Sequence, residues 1–349
     1  MSTAPDPVRD GLDRPALERF FAEHVPGYTG ALSVELVPGG RSNLTYILTS
    51  GARRWVLRRP PLAGLTPSAH DVGREYQVTA ALGGSAVPVA RAVALAGPDV
   101  FGVPFSVVEF VDGQVIRTAE QLQELAPEDI VRSADAAVDV LAQLHQVDPD
   151  AYGLAGFGRP DGYLARQVRR WYDQWGRVQA GPLDDIDTLH TRLAEACPPE
   201  SGASIVHGDY RIDNLILDRD DPAVIRAVVD WEMATLGDPL ADLGLHLAYA
   251  DPAFALVLGG SAASTSELMP PAAHLAQRYA ATSGRELGQL DFYLALGYFK
   301  IAVIAAGIEY RHRQSASGSD DSTRVGEAVA PLAAAGLRAL SHGLKRAPS

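Results

Sequence analysis

Cysteine is nearly absent from this chain: Cys197 is the single thiol among 349 residues. One cysteine excludes an internal disulfide and any zinc site built on cysteine clusters. Positive charge is in deficit, with 30 Lys and Arg against 43 Asp and Glu and a net charge of −13. A general nucleic-acid binder neutralises phosphates with a basic surface, so that class is set aside. The first ten residues hold no apolar core, and no secretion signal is expected. The longest apolar stretch, Phe292 to Ile308, is interrupted by Lys300 and followed by Glu309 and Arg311. It reads as a buried helix rather than a membrane span. No internal repeat is present. The expectation is a cytoplasmic protein, monomer or homodimer, with no membrane and no nucleic acid among its partners.

What is present is ordinary globular composition, 47% hydrophobic and 21% charged, in a chain long enough for a large core or two lobes. One stretch concentrates the polar signal. A short apolar run, Ile205 and Val206, delivers His207, Gly208 and Asp209 into a loop. Asn214 follows Asp209 at D-x-x-x-x-N spacing, ahead of a strand from Leu215 to Leu217. Asp221-Pro222 marks a turn. A second apolar strand, Val224 to Val229, ends on Asp230. Neighbouring strands thus bring Asp209, Asn214 and Asp230 toward one place. Phosphoryl transfer needs a carboxylate to orient and deprotonate an attacking hydroxyl, and hard oxygen ligands for Mg²⁺ on the nucleotide phosphates. Asp209 suits the first task; Asn214 and Asp230 suit the second. The spacing is that of the protein-kinase catalytic loop, with Gly208 where protein kinases carry Arg.

At these residues the sequence resembles the aminoglycoside phosphotransferase family, the choline-kinase-like small-molecule phosphotransferases. His207-Gly208-Asp209, Asn214 and Asp230 match its signature, and Gly237-Asp238-Pro239-Leu240-Ala241-Asp242 matches its G-D-P-x-x-D segment. The likeness runs from about Leu36 to Arg313. It implies an α+β, protein-kinase-like two-lobed fold, with a small β-rich lobe over residues 1–111 and a larger, mostly helical lobe over 112–349. It implies ATP as donor, Mg²⁺ as metal and a small molecule bearing a hydroxyl as acceptor. In the family, Asp238 and Asp242 chiefly buttress the catalytic loop.

The amino-terminal part fits that plan. A helix is expected from Pro15 to Val25 and strands at Ala31–Val37, Leu44–Thr49 and Arg54–Arg58. Between the first two strands lie Gly39, Gly40, Ser42 and Asn43, a turn of the kind that covers phosphates with backbone N–H groups. Arg58 stands where kinases carry a strand lysine. Arg59 is adjacent and faces the other way, so one of the two meets phosphate, and Arg58 is favoured. Glu75, on a helix expected at His70–Leu82, is the partner for that cation. Strands are expected at Val87–Ala94 and Pro104–Val111. The second resembles a kinase hinge, where backbone groups of Glu109 and Val111 would receive adenine.

Beyond Thr118 the chain is read as helical. Pro127–Val147 carries an apolar stripe and ends near His145, read as a satisfied core histidine. Asp161–Trp175 is rich in Arg166, Arg169, Arg170, Trp171 and Tyr172. That helix is either a wall of the acceptor pocket, with Arg166, Arg170 and the more distant Glu232 touching acceptor, or a solvated amphipathic face. Helices are expected at Pro239–Tyr249, Pro271–Ser283, Leu290–Arg313 and Arg324–Leu344, with a polar linker from Gln314 to Ser322. The runs Trp55–Pro61 and Gln167–Trp171 are similar to a branch of the family, the kinase-like domains fused to some acyl-CoA dehydrogenases. That branch implies a hydroxyacyl thioester as an alternative acceptor to an antibiotic. A nucleotide-binding protein without transfer activity is the reading from another class. It rests on arginine standing in for lysine and is opposed by the intact Asp209, Asn214 and Asp230. A protein kinase is disfavoured, because Trp231-Glu232 follows Asp230 and the usual activation segment is missing.

Overall fold

The computed structural model describes residues 12–37, 43–60, 71–314 and 320–342. They divide into two compact units, one reaching Asp112 and including Ala227–Glu232, the other comprising Gly113–Arg226 and the chain from Met233. The division after Asp112 lies one residue past the expected lobe boundary. The return of Ala227–Glu232 to the first unit has a backbone cause. Val228 bridges Val89, and its N–H donates to the Pro88 carbonyl at 2.8 Å.

In the first unit, α1 (Arg14–His24) starts at Asp13, whose side chain accepts from the Ala16 N–H, with Pro15 in the first turn. Strands β1 (Ser33–Leu36), β2 (Leu44–Ser50), β3 (Arg53–Arg59), β4 (Ala92–Ala96) and β5 (Phe105–Glu109) form one antiparallel sheet in the order β1-β2-β3-β5-β4. Helix α2 (Val72–Leu82), capped by Asp71, packs on β4 and β5. Strand β3 alternates as its sequence dictates: Trp55, Leu57 and Arg59 are buried on one face, Val56 and Arg58 lie on the other. Phe21 packs edge-on to Trp55, and Phe20 to Phe105, which fastens α1 to the sheet. The expected strand from Val87 begins only at Ala92; Pro88 has no N–H to give a ladder. The expected turn residues Gly39, Gly40 and Ser42 lie outside the described residues.

In the second unit, α3 (Ala119–Gln123) opens with a capping box from Thr118 and Gln121. Helices α4 (Pro127–Gln146), α5 (Tyr163–Val178) and α6 (Asp184–Glu195) follow. The short strands β6 (Ser204–Val206), β7 (Leu215–Leu217), β8 (Ile225–Val228) and β9 (Thr235–Gly237) come next, β6 pairing antiparallel with β9. Then come α7 (Pro239–Ala248), α8 (Ala253–Val257), α9 (Ala272–Ser283), α10 (Leu290–Gln314) and α11 (Val329–His342). By length and composition α10 passes for a membrane span, yet 72% of its apolar window is buried against this unit's other helices. The expected last helix from Arg324 is a 3-10 helix over Asp320–Ala328 that becomes α-helical only at Val329. Pro331 explains the late start, since proline fits an α-helix only in its first turn. Of the expected linker, Gln314 belongs to α10 and residues 315–319 lie outside the described ones.

Candidate active site

The buried strand β6 leads directly into the loop His207–Asp209. That loop hangs on one carboxylate: Asp242, on α7, accepts the N–H of His207 at 2.6 Å and of Gly208 at 2.8 Å. The donors and the neighbouring His145 outweigh burial and hold the Asp242 carboxyl below its ordinary range. His145 is itself buried, with Nδ1 2.7 Å from the Tyr279 hydroxyl and Nε2 3.4 Å from Asp242. Burial lowers its pKa and favours the neutral ring. It is the satisfied core histidine expected from sequence. Asp238 caps α7 through the Leu240 N–H and also accepts from the Ser201 N–H and hydroxyl and from Tyr293. Both acids of the Gly237–Asp242 segment therefore brace backbone. Gly208 has φ +81°, and a Cβ there would meet the Met233 carbonyl oxygen at 2.8 Å, so this position admits only glycine.

The Asp209 carboxylate is gripped by three donors. The Tyr249 hydroxyl donates to Oδ1. Asn214 Nδ2 donates to Oδ2 at 3.2 Å and to the Asp209 carbonyl at 2.8 Å. Arg211 Nε lies 3.2 Å from Oδ1 and 3.3 Å from Oδ2. Burial, then the Asp209 charge, raises the Tyr249 pKa well above its ordinary value, so it remains a donor. Burial disfavours the Arg211 charge, but Asp209 and Asp213 more than compensate and its pKa is raised. Sequence reasoning had marked Asp209 and Asn214 but not Arg211 or Tyr249. Arg211 had a signal in its place two residues after Asp209; Tyr249, at the end of α7, had none.

The residues expected to meet the nucleotide, so far as the structure describes them, lie in the first unit, with Asp230 and Glu232. Arg58 Nη1 donates to Glu75 Oε1 at 2.5 Å, and Nη2 to Asp230 Oδ1 at 3.2 Å. Asp230 is one of two described non-glycine residues with positive φ, at +68°. Glu232 lies near enough to act on both Arg58 and Glu75 electrostatically. Glu75 is pushed up to about 7, first by burial and then by Asp230 and Glu232, against the pull of Arg58. Arg59 is buried on the opposite face, donating to the Tyr46 hydroxyl and the Pro60 carbonyl at 3.1 Å each. Asn43 is buried, and among the described residues neither its amide nitrogen nor its oxygen has a partner. The Glu109 N–H is committed to the Arg91 carbonyl at 2.8 Å. Val111 follows in irregular backbone.

Of the basic helix, Arg166 turns back to donate to the carbonyls of Arg159 and Asp161, so its guanidinium holds the preceding loop. That arrangement counts against the acceptor role expected for it. Arg170 is exposed, 5.7 Å from the Trp171 ring centre. The residues present fit the ligands in question. The amide of Asn43 and the Nε of Arg58, which have no partner among the described residues, suit phosphate oxygens. Asn214 uses its NH₂ on Asp209, leaving Oδ1 as a hard ligand, and Asp230 offers a carboxylate, the donor types that Mg²⁺ takes.

An α+β chain with a kinase-like fold, a braced His-Gly-Asp loop and an amide seven residues after its histidine defines a kinase-like small-molecule phosphotransferase. The chain belongs to the phosphotransferase enzyme family, whose model matches residues 33–291. It is 36% identical over 339 residues to "Acyl-CoA dehydrogenase family member 11" of Gallus gallus, covering 93% of this chain and 43% of that protein. The chain thus spans less than half the length of that relative. A crystal structure from Ralstonia eutropha JMP134, of a protein provisionally named an aminoglycoside phosphotransferase, shares 34% identity with a TM-score of 0.81, over 94% of this chain and 98% of that one. The ternary complex of aminoglycoside phosphotransferase APH(4)-Ia with AMP-PNP and hygromycin B shares the fold, with a TM-score of 0.60 at 16% identity over 94% and 99% of the two chains.

Proposed function

We propose that this chain transfers the γ-phosphoryl group of ATP to a hydroxyl of a small molecule. The observation that carries the reading is Asp209: a carboxylate held by Tyr249, Asn214 and Arg211 on a loop fixed by Asp242. Three donors hold that carboxylate aimed. In this role it accepts the hydrogen bond of the acceptor hydroxyl, orients the oxygen for in-line attack and takes its proton as the bond to phosphorus forms. Arg58 and Asn43, with Gly39, Gly40 and Ser42, hold phosphate oxygens, and Glu75 steers Arg58. Glu109 and Val111 receive the adenine. Asn214 and Asp230 hold Mg²⁺, which supplies charge neutralisation on the phosphates. The AMP-PNP complex of the structural relative supports ATP as donor.

For the acceptor, an alcohol carrying an anionic group is favoured over a polyamine antibiotic. Exposed cations Arg169 and Arg170 lie on α5, and Glu232 completes the acceptor assignments. The relative named as an acyl-CoA dehydrogenase family member favours a hydroxyacyl thioester in particular. The test is a panel of hydroxyacyl thioesters, other hydroxylated metabolites and aminoglycosides, incubated with ATP and Mg²⁺ and read by mass spectrometry. The expected result is a gain of one phosphoryl group on an anionic alcohol, absent with Asp209→Asn. Efficient phosphorylation of aminoglycosides alone overturns the acceptor class. No gain on any compound, together with no ADP release, overturns the enzyme.

A further inference from the structure

Helix α10 is apolar for most of its length, and Lys300 is the only charged residue between Asp291 and Glu309. An ammonium placed in such a helix is disfavoured by desolvation unless something holds it. Among the described residues no carboxylate lies within ion-pair distance of it; its one hydrogen bond is Nζ donating to the Gly208 carbonyl at 2.5 Å. Its Nζ also lies 5.4 Å from the ring centre of Trp171, whose face favours a cation. The charges facing it are Asp209, Asp242 and, with like sign, Arg170; burial is the main influence, and its pKa falls to about 8. A methionine or leucine would suit the packing better. The lysine is therefore a local inconsistency of the kind that marks a working residue.

Its partner is informative. Asp242 ties the loop through the N–H groups of His207 and Gly208, and Lys300 ties the same loop through the Gly208 carbonyl. The peptide that joins Gly208 to Asp209 is held at its carbonyl by Lys300 and at its N–H by His207 Nδ1, 3.2 Å away. We propose that Lys300 is a positioning residue of phosphoryl transfer, pinning the Gly208 carbonyl so that the next residue, Asp209, presents its carboxylate to the acceptor. The proposal rests on the reading of Asp209 given above.

The test uses the full chain with MgATP alone, water serving as acceptor and ADP release as the readout. It compares wild type, Lys300→Met, Lys300→Arg and Asp209→Asn, with AMP-PNP titration and thermal melting of each. The expected result for Lys300→Met is a kcat lowered about tenfold or more, an unchanged KM for ATP, unchanged AMP-PNP affinity and a melting temperature equal to or above wild type. Lys300→Arg regains part of kcat. A merely structural lysine would instead lower the melting temperature or move KM. If Lys300→Met keeps wild-type kcat while Asp209→Asn loses it, the role of Lys300 is overturned and that of Asp209 stands. If Asp209→Asn keeps wild-type kcat, the reading of Asp209 falls instead. Should Lys300→Met not fold, Lys300→Gln, which keeps a donor without the charge, carries the same comparison, and wild-type kcat in it overturns the proposal.

Discussion

Arg58 donates to Glu75 at 2.5 Å in the interior of the first unit, and the pair is charge-imbalanced. Asp230 and Glu232 add two further carboxylates around the single guanidinium. The ion pair alone would lower the Glu75 pKa; burial and its like-charged neighbours win, and it rises from 4.5 to about 7. A raised carboxyl pKa means the folded state holds the proton more tightly than the unfolded state. Stability therefore falls as pH rises from about 4.5 through 7. Denaturant unfolding of wild type against Glu75→Gln between these limits should show wild type losing on the order of 3 kcal/mol relative to the variant. Parallel curves for the two proteins contradict the assignment.

The two adjacent arginines of β3 should separate by phenotype. Arg58→Ala should weaken AMP-PNP binding about tenfold or more with little loss of fold. Arg59→Ala should leave nucleotide affinity near wild type but destabilise by about 2–3 kcal/mol, since it removes buried hydrogen bonds to the Tyr46 hydroxyl and the Pro60 carbonyl and leaves a void. Nucleotide titration and urea unfolding of both variants decide it. A larger affinity loss from Arg59→Ala would move the phosphate contact to the other face of the strand.

Asp209→Asn should keep AMP-PNP affinity and lose transfer. Asparagine retains the size of the side chain, but it cannot take the acceptor proton and it leaves Arg211 without one of its two counter-charges. The expected loss in kcat is about 10²–10⁴-fold. Steady-state turnover beside nucleotide titration measures both. A loss under about tenfold assigns proton removal to another group.

Gly208→Ala should be damaging out of proportion to one methyl group. The new Cβ would lie 2.8 Å from the Met233 carbonyl oxygen, on a backbone at φ +81°. A destabilisation of about 2 kcal/mol or more is expected, with loss of turnover as the loop moves. Chemical denaturation together with ADP release gives the answer, and a variant as stable and active as wild type would show that the loop relaxes freely.

Asp230→Asn tests the metal assignment without disturbing the backbone, because asparagine tolerates the left-handed conformation at φ +68°. AMP-PNP affinity should then be the same with Mg²⁺ as with EDTA, whereas wild type should bind more tightly with Mg²⁺. The melting temperature without metal should change little. A variant that retains full Mg²⁺ dependence removes Asp230 from the ligand set.

Much of this molecule was legible in the sequence because the relevant constraints are local. Strand alternation separates Arg58 from Arg59. The His207-Gly208-Asp209 loop with Asn214 keeps its chemistry within eight consecutive residues. Other features needed the fold. Pro88 and Pro331 shifted element boundaries through missing N–H groups. Arg166, which looked free for a ligand, is bound to the carbonyls of its own loop. Tyr249 and Lys300 reach the catalytic loop from 40 and 92 residues away along the chain. Sequence alone therefore determined the loop's chemical groups, which depend on spacing, and the resemblance those motifs carry implied the fold class. Only tertiary structure decided which distant side chains grip that loop, because burial and hydrogen-bond partnership arise from packing between elements that no local pattern records.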